Sequence, residues 1–311
     1  MNGTHINEIL LLGFENIHSF KHLIFFWFLL IYIVTITGNV VIILLVLTSN
    51  HLRSPMFFFL GHLSFSDVLL TSNIVPNMLH IILSEGGIVR LGSCIAQFYL
   101  YGSVIITECL LLSAMSYDHY LAICKPLHYT MIMDLNLCFY LVVVCWSLGF
   151  VITLVTVFLL QTLWFCGPNV IDHFFCDLGP LLELSCSDVS IITFDVFFFS
   201  ILLTFIPFVF ITVTYVYIFL TILKITSAAG RQKTFSTCSS HLAVVCTYFG
   251  ALFVMYVVPS RGHSLNMNKV VSLMYTVVTP LLNPIIYSLR NQVIKSVISK
   301  YISVCKKSCT Y

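Results

Sequence analysis

The sequence predicts an all-α membrane protein, a seven-transmembrane helix bundle with its N-terminus outside and its C-terminus in the cytoplasm. Three observations predict it. Of 311 residues, 59% are hydrophobic and only 8% are charged, too few charges for a soluble chain of this length to cover its surface. Seven apolar regions, at roughly 22–47, 56–83, 93–121, 137–163, 190–223, 236–258 and 269–289, are each long enough to cross a bilayer. With the N-terminus outside, 10 of the 14 Lys and Arg residues fall on cytoplasmic segments, as the positive-inside rule requires. In lipid every backbone polar group needs a partner within the protein, so these spans are helices.

The chain divides into an extracellular N-terminus (1–21), the bundle (22–289) and a cytoplasmic tail (290–311). No basic stretch with a short apolar run and cleavage site opens it, so insertion through the first span is expected. Asn2-Gly3-Thr4 is a glycosylation acceptor on the outer side. The first span carries Gly38-Asn39, where glycine permits close helix approach and asparagine bonds across an interface. The second holds Asp67 inside the membrane, with Pro76 farther out as a kink.

In the third span Tyr101, Ile105, Glu108, Leu112, Met115 and His119 recur at helical spacing. They form one stripe from the external half to the cytoplasmic end. Most of it reads as a packing seam, but an acid at the depth of Glu108 is costly and points to function. The stripe ends in MSYDHYLAICKPLHY (115–129), where Pro126 stops the helix at an aqueous boundary. The long loop after the fourth span contains Asp172, Asp177, Glu183 and Asp188, three cysteines and no Lys or Arg, and reads as a disulfide-braced lid. Cys94, Cys166, Cys176 and Cys186 lie outside and allow three pairings. Cys109, Cys138, Cys145, Cys238 and Cys246 read as small apolar packing residues, and Cys305 and Cys309 as plain tail thiols or acylation sites. The fifth span has Pro207 within it. Pro280 and Pro284 weaken the seventh, where Asn283 is expected to satisfy freed backbone groups. The basic tail suits a short amphipathic helix on the inner leaflet, against membrane lipids.

Asn39, Asp67, Glu108 and Asn283 come from four helices at similar depth. Two neighbouring carboxylates there need a cation or a shared proton. The cluster is read either as a Na⁺ or proton site or as a hydrogen-bonded packing core with neutral acids. There is no HExxH, Walker A loop, nucleophile elbow or dinucleotide fingerprint, so no enzyme is expected. His22, His173 and His263 lack metal spacing. A net charge of +2 gives no reason to expect nucleic-acid binding.

Together Gly38-Asn39, LRSPMFFFLGHLSFSD (52–67), MSYDHYLAICKPLHY (115–129), KTFSTCSSHL (233–242) and PLLNPIIYSLRN (280–291) resemble the olfactory receptor family of rhodopsin-like G-protein-coupled receptors. The resemblance spans nearly the whole chain. It implies disulfides Cys94–Cys176 and Cys166–Cys186. It also implies an odorant cavity near Tyr101, Gly102, Ile105, Ile106, Phe199, Leu203, Phe249, Leu252, Tyr256 and Thr276, and a cytoplasmic switch of Asp118, His119, Tyr120, Tyr215, Asn283, Pro284 and Tyr287. The mostly apolar wall suits small hydrophobic volatiles and, without a buried Lys or Arg, suits carboxylates poorly. The expected partner is the olfactory stimulatory heterotrimeric G protein, which raises cAMP. The expected location is the plasma membrane, in the cilia of olfactory sensory neurons.

Two departures stand out. The family's Asp-Arg-Tyr is Asp118-His119-Tyr120 here, and imidazole has fewer donors and no permanent charge. The family's Phe-Tyr-Gly is Tyr248-Phe249-Gly250, which is expected to remove a hydroxyl beneath the pocket. Weakened or lost coupling is therefore the alternative reading. A transporter is a more distant one, since paired repeats are missing.

Overall fold

The computed structural model describes residues 6–14, 19–166, 168–257, 265–291 and 293–300. In chain order the strand β1 (Glu8–Leu11) precedes α1 (Lys21–Thr48) and α2 (Pro55–Ser84). Strand β2 (Gly87–Arg90) leads into α3 (Leu91–Cys124), the short α4 (Pro126–Ile132) and α5 (Leu135–Gln161). The external loop holds β3 (Val170–Ile171) and α6 (Leu178–Glu183). The fifth bundle helix is α7 (Ser190–Ser200) and α8 (Ile206–Leu223), joined by a π turn over Ile201–Phe205. The sixth is α9 (Ala228–Val257). The seventh is α10 (Leu265–Leu273) and α11 (Thr279–Arg290), joined by a π turn over Met274–Val278.

Seven helices thus form the bundle. Six are long and apolar enough to cross a membrane; in α9 the apolar stretch is the shorter Cys238–Phe253, because its inner end begins with the polar run KTFSTCSS. Outward faces are apolar as lipid contact demands: Phe26, Trp27 and Leu30 on α1, and Phe194 on α7, are exposed. Cys246 is exposed, while Cys109, Cys138, Cys145 and Cys238 are buried. Helix α3 is the hub, packing on α2, α5, α8 and α9. At Gly149 the backbone of α5 lies so close to α3 that a Cβ would collide with Ser103 O and Thr107 Oγ1. Residues 293–300 are helical, with Ile294 and Val297 buried under the bundle, as expected of the amphipathic tail segment.

The proline-broken seventh helix is held from an unexpected side. Pro284 has no N–H, so Pro280 O loses its partner one turn earlier. Asn39 Nδ2 donates to that oxygen at 3.1 Å, and Gly38 lets α1 approach until a Cβ would sit 3.1 Å from Pro284 Cβ. Asn39, rather than Asn283, therefore satisfies the freed carbonyl. Asn283 instead donates to both Asp67 oxygens, at 3.1 and 2.9 Å.

A three-stranded sheet of order β2-β1-β3 caps the external end, which the all-helical expectation omitted. Strand β1 runs antiparallel to β2 and parallel to β3, and Ile9 and Leu11 are fully buried beneath it. Disulfides Cys94–Cys176 and Cys166–Cys186 tie the loop to α3 and to itself. Gln97 bonds Asn73 O at 2.9 Å and accepts Cys176 N at 2.9 Å, joining α2, α3 and the loop.

Candidate ligand cavity and cytoplasmic switch

A cavity of about 1980 Å³ opens between α3, α5, the fifth and sixth bundle helices, and the external loop. Tyr101, Gly102, Ile105, Ile106, Phe199, Leu203, Phe249 and Leu252 line it. Thr276 does not: its hydroxyl turns back on Ser272 O at 2.7 Å and the residue is buried in the seventh helix. Tyr256 is on α9, but its side chain lies outside the described residues, as does Asn2.

The hydroxyl expected to be missing beneath the pocket is present. Tyr248 is buried, and its OH donates to Ile105 O at 2.8 Å, bridging α9 to the cavity-lining turn of α3. Phe249 then presents an apolar face to the cavity. The hydroxyl has moved one residue rather than vanished. Nor did the sequence reading single out Tyr275, which accepts from Tyr101 OH at 3.1 Å, or Asp195, which accepts from Thr156 at 2.8 Å. Asp195 was detectable as an acid a few residues inside an apolar span.

The lid above the cavity is polar and well connected. Lys269 bonds Asp172 at 2.5 Å with its side chain 4% exposed. Burial, with Lys269 second, pushes His173 down to about 4, so it is neutral at pH 7. Burial pushes Asp177 up to about 6, offset in part by the Leu178 N–H that it accepts.

Below the cavity lies the mid-membrane cluster. Asp67 and Glu108 are close enough to interact electrostatically, and Ser66 bonds Glu108. Among the described residues, Asn39 Oδ1, Glu108 Oε1, Asn283 Oδ1 and Tyr287 OH are buried without a hydrogen-bond partner. Two carboxylates beside unpaired neutral oxygens are the hard donors an alkali cation takes. Among the described residues no group of three or more His, Cys, Asp or Glu is arranged for a metal.

At the cytoplasmic end Tyr129 OH donates to Asp118 at 2.9 Å. Burial and then the Asp118 charge push the Tyr129 phenol well above its ordinary value, so it keeps that proton. His119 Nδ1 donates to Met115 O, one turn back, at 2.7 Å. Its ring stacks on His241 of α9, with centroids 5.1 Å apart and planes 13° from parallel. Tyr215 OH meets His241 Nδ1 at 2.7 Å and Cys238 O at 3.3 Å. Ser116 and Thr214 bond across α3 and α8. Tyr120 packs edge-on to Tyr217. Thus His119, His241 and Tyr215 converge from three helices, and Tyr287 is buried with its hydroxyl unpaired among the described residues. His241 was visible only as a polar residue at a helix end; nothing in the sequence paired it with His119.

The olfactory receptor family model matches residues 28–306. The chain is 47% identical over 308 residues to human olfactory receptor 11L1, covering 99% of this chain and 95% of that protein. It is 43% identical to human olfactory receptor 6B1, covering 99% and 98%. It is 44% identical to mouse olfactory receptor 5G25, covering 99% and 96%.

Proposed function

This chain belongs to the olfactory receptor family of G-protein-coupled receptors, and we propose that small, largely hydrophobic volatiles gate it by occupying the cavity beside α3. Membership makes it a multi-pass membrane receptor, not an enzyme. The observation that carries the proposal is continuity. Ile105 lines the cavity and its carbonyl holds Tyr248, while His119, farther along the same stripe and anchored to Met115 O, holds the α3–α9 contact.

A ligand that packs Ile105 and Phe249 differently in two arrangements biases the equilibrium between them by its differential affinity. In the signalling arrangement α9 swings from α3, His119 parts from His241, and Tyr215 and Tyr287 turn into the opened cleft. The olfactory stimulatory G protein then enters the cleft and raises cAMP, in the cilia of olfactory sensory neurons. Asn2 is the proposed glycan site. Asp67, Glu108, Asn39 and Asn283 would hold a Na⁺ ion, whose charge offsets the buried carboxylates in the closed arrangement.

Ligand-dependent cAMP in transfected cells with verified surface expression tests this reading. Substrate flux without cAMP would replace it with transport. A second reading, weakened coupling, has its own support. The His119 ring is tied back to Met115 O and stacked on His241, so it offers a G protein less reach and fewer donors than arginine.

A further inference from the structure

Three external-loop carboxyls line the cavity, and Asp177 is the buried one that no Lys or Arg neutralises among the described residues. Asp177 lines the cavity, is 9% exposed, and accepts a single hydrogen bond, from Leu178 N at 2.8 Å. Its second carboxylate oxygen makes no hydrogen bond among the described residues. The neighbouring ionisable groups do not compensate. Asp172 is taken by Lys269, His173 is held neutral, and Glu183 is exposed at the rim. Among the described residues, no Lys or Arg lines the cavity. Capping α6 explains the bond to Leu178 N, but a cap does not require a charge; asparagine or serine serves as well. A carboxylate buried against an apolar wall is costly unless paired with a donor.

We propose that Asp177 anchors a cationic head group, so that the cavity takes protonated amines with an apolar body in preference to alcohols or carboxylates of the same size. The inference rests on the reading of this cavity as the agonist site and narrows its ligand class. The ammonium supplies the partner that Asp177 lacks, in a charge-assisted hydrogen bond, while the alkyl chain covers Ile105, Phe199 and Phe249. A carboxylate would face Asp177 and Glu183 with like charge. An alcohol donates a hydrogen bond but brings no charge.

The probes are octylamine, octanol and octanoic acid, and the sample is the purified full chain in lipid nanodiscs. The readout is the ligand concentration needed for thermal stabilisation, which does not depend on G-protein coupling. At pH 7.5 the amine should bind about tenfold tighter than the alcohol, as expected of a hydrogen bond to a charged group. Asp177→Asn keeps the cap and an acceptor in the same lipid, so membrane partitioning cancels between variants. It should erase the amine's advantage and leave octanol unchanged. Acidification to pH 5 should also shrink the advantage in the native chain, because Asp177 titrates at about 6 while the amine stays charged. Equal affinity for amine and alcohol, or an equal loss of both in Asp177→Asn, overturns the inference. Binding of octanol without an amine preference removes this inference and leaves the cavity reading standing. Binding of none of the three removes both.

Discussion

The external cap and the cytoplasmic half solve opposite problems with the same kinds of residue. Outside, nearly every buried polar group has a fixed partner: Gln97 holds Cys176 N, Lys269 holds Asp172, and two disulfides close the loop. Of eight buried side-chain polar atoms without a partner among the described residues, only His173 Nε2 lies in that cap. The other seven, including Glu108 Oε1, His119 Nε2, His241 Nε2 and Tyr287 OH, lie in the middle and inner parts of the bundle. Each unsatisfied buried group costs about 1–3 kcal/mol. The difference teaches where the molecule is built to move. A cap whose buried bonds are nearly all satisfied, Asp177 at the cavity wall aside, has one good arrangement, whereas an inner core with unpaired donors and acceptors gains by rearranging around an ion, a proton or a partner.

The largest expected effect lies in the cap. Cys94 and Cys176 are separated by 82 residues, and replacing both with alanine should cost about 4 kcal/mol. Thermal melting of purified protein and surface staining of cells would show it; a loss no larger than that from inner-half substitutions would break the contrast. Lys269→Ala comes next. It strands Asp172 beside a buried site, and a loss of about 3 kcal/mol is expected. Melting at low and high salt checks it, and little salt sensitivity is expected because Lys269 is so well buried.

A smaller effect should mark the mid-membrane cluster. Melting temperature should rise when NaCl replaces choline chloride, by the equivalent of about 1–2 kcal/mol at saturation. Glu108→Gln and Asp67→Asn should each abolish that dependence. A native chain indifferent to Na⁺ would return the cluster to a hydrogen-bonded packing core.

The smallest predicted effect is the pH response of the cap, where two groups oppose each other. His173 has a folded value of about 4, below its usual 6.5, so the unfolded chain takes up more protons as pH falls through that window and stability is lost. Asp177 has a folded value of about 6, above its usual 3.8, so the folded chain binds the extra proton and acidification stabilises it. The native melting temperature should therefore change little from pH 7 to 5. His173→Asn should melt higher at pH 5 than at pH 7, and Asp177→Asn lower. Parallel pH curves for both variants would contradict these assignments.

Local pattern in the sequence was enough to place the spans, their orientation and the α3 stripe, because lipid imposes length, composition and helical period on each segment alone. The sheet was not legible. Strand β1 has four residues, and its partners at Gly87–Arg90 and Val170–Ile171 are distant in sequence. The polar residues were identified correctly as types but not as pairs. Asn39 bonds across an interface as expected, but it rather than Asn283 meets the freed carbonyl, since which amide faces Pro280 O and which faces Asp67 depends on how α1, α2 and α11 rotate against one another. Tyr248 shows the same limit. One residue along a helix turns a side chain by about 100°, yet its hydroxyl still reaches α3 because the phenol is long enough to find Ile105 O.

In the proposed mechanism the inner end of the α3 stripe switches the receptor through the His119–His241 contact. His119→Arg tests it most directly, with ligand-dependent cAMP measured at matched surface expression. Arginine replaces the short ring-to-ring contact with a longer, flexible side chain and places a permanent charge with five donors beside Asp118. The variant should therefore give a larger maximal response at similar ligand potency. An unchanged maximum would show that this contact does not limit coupling and would contradict the account.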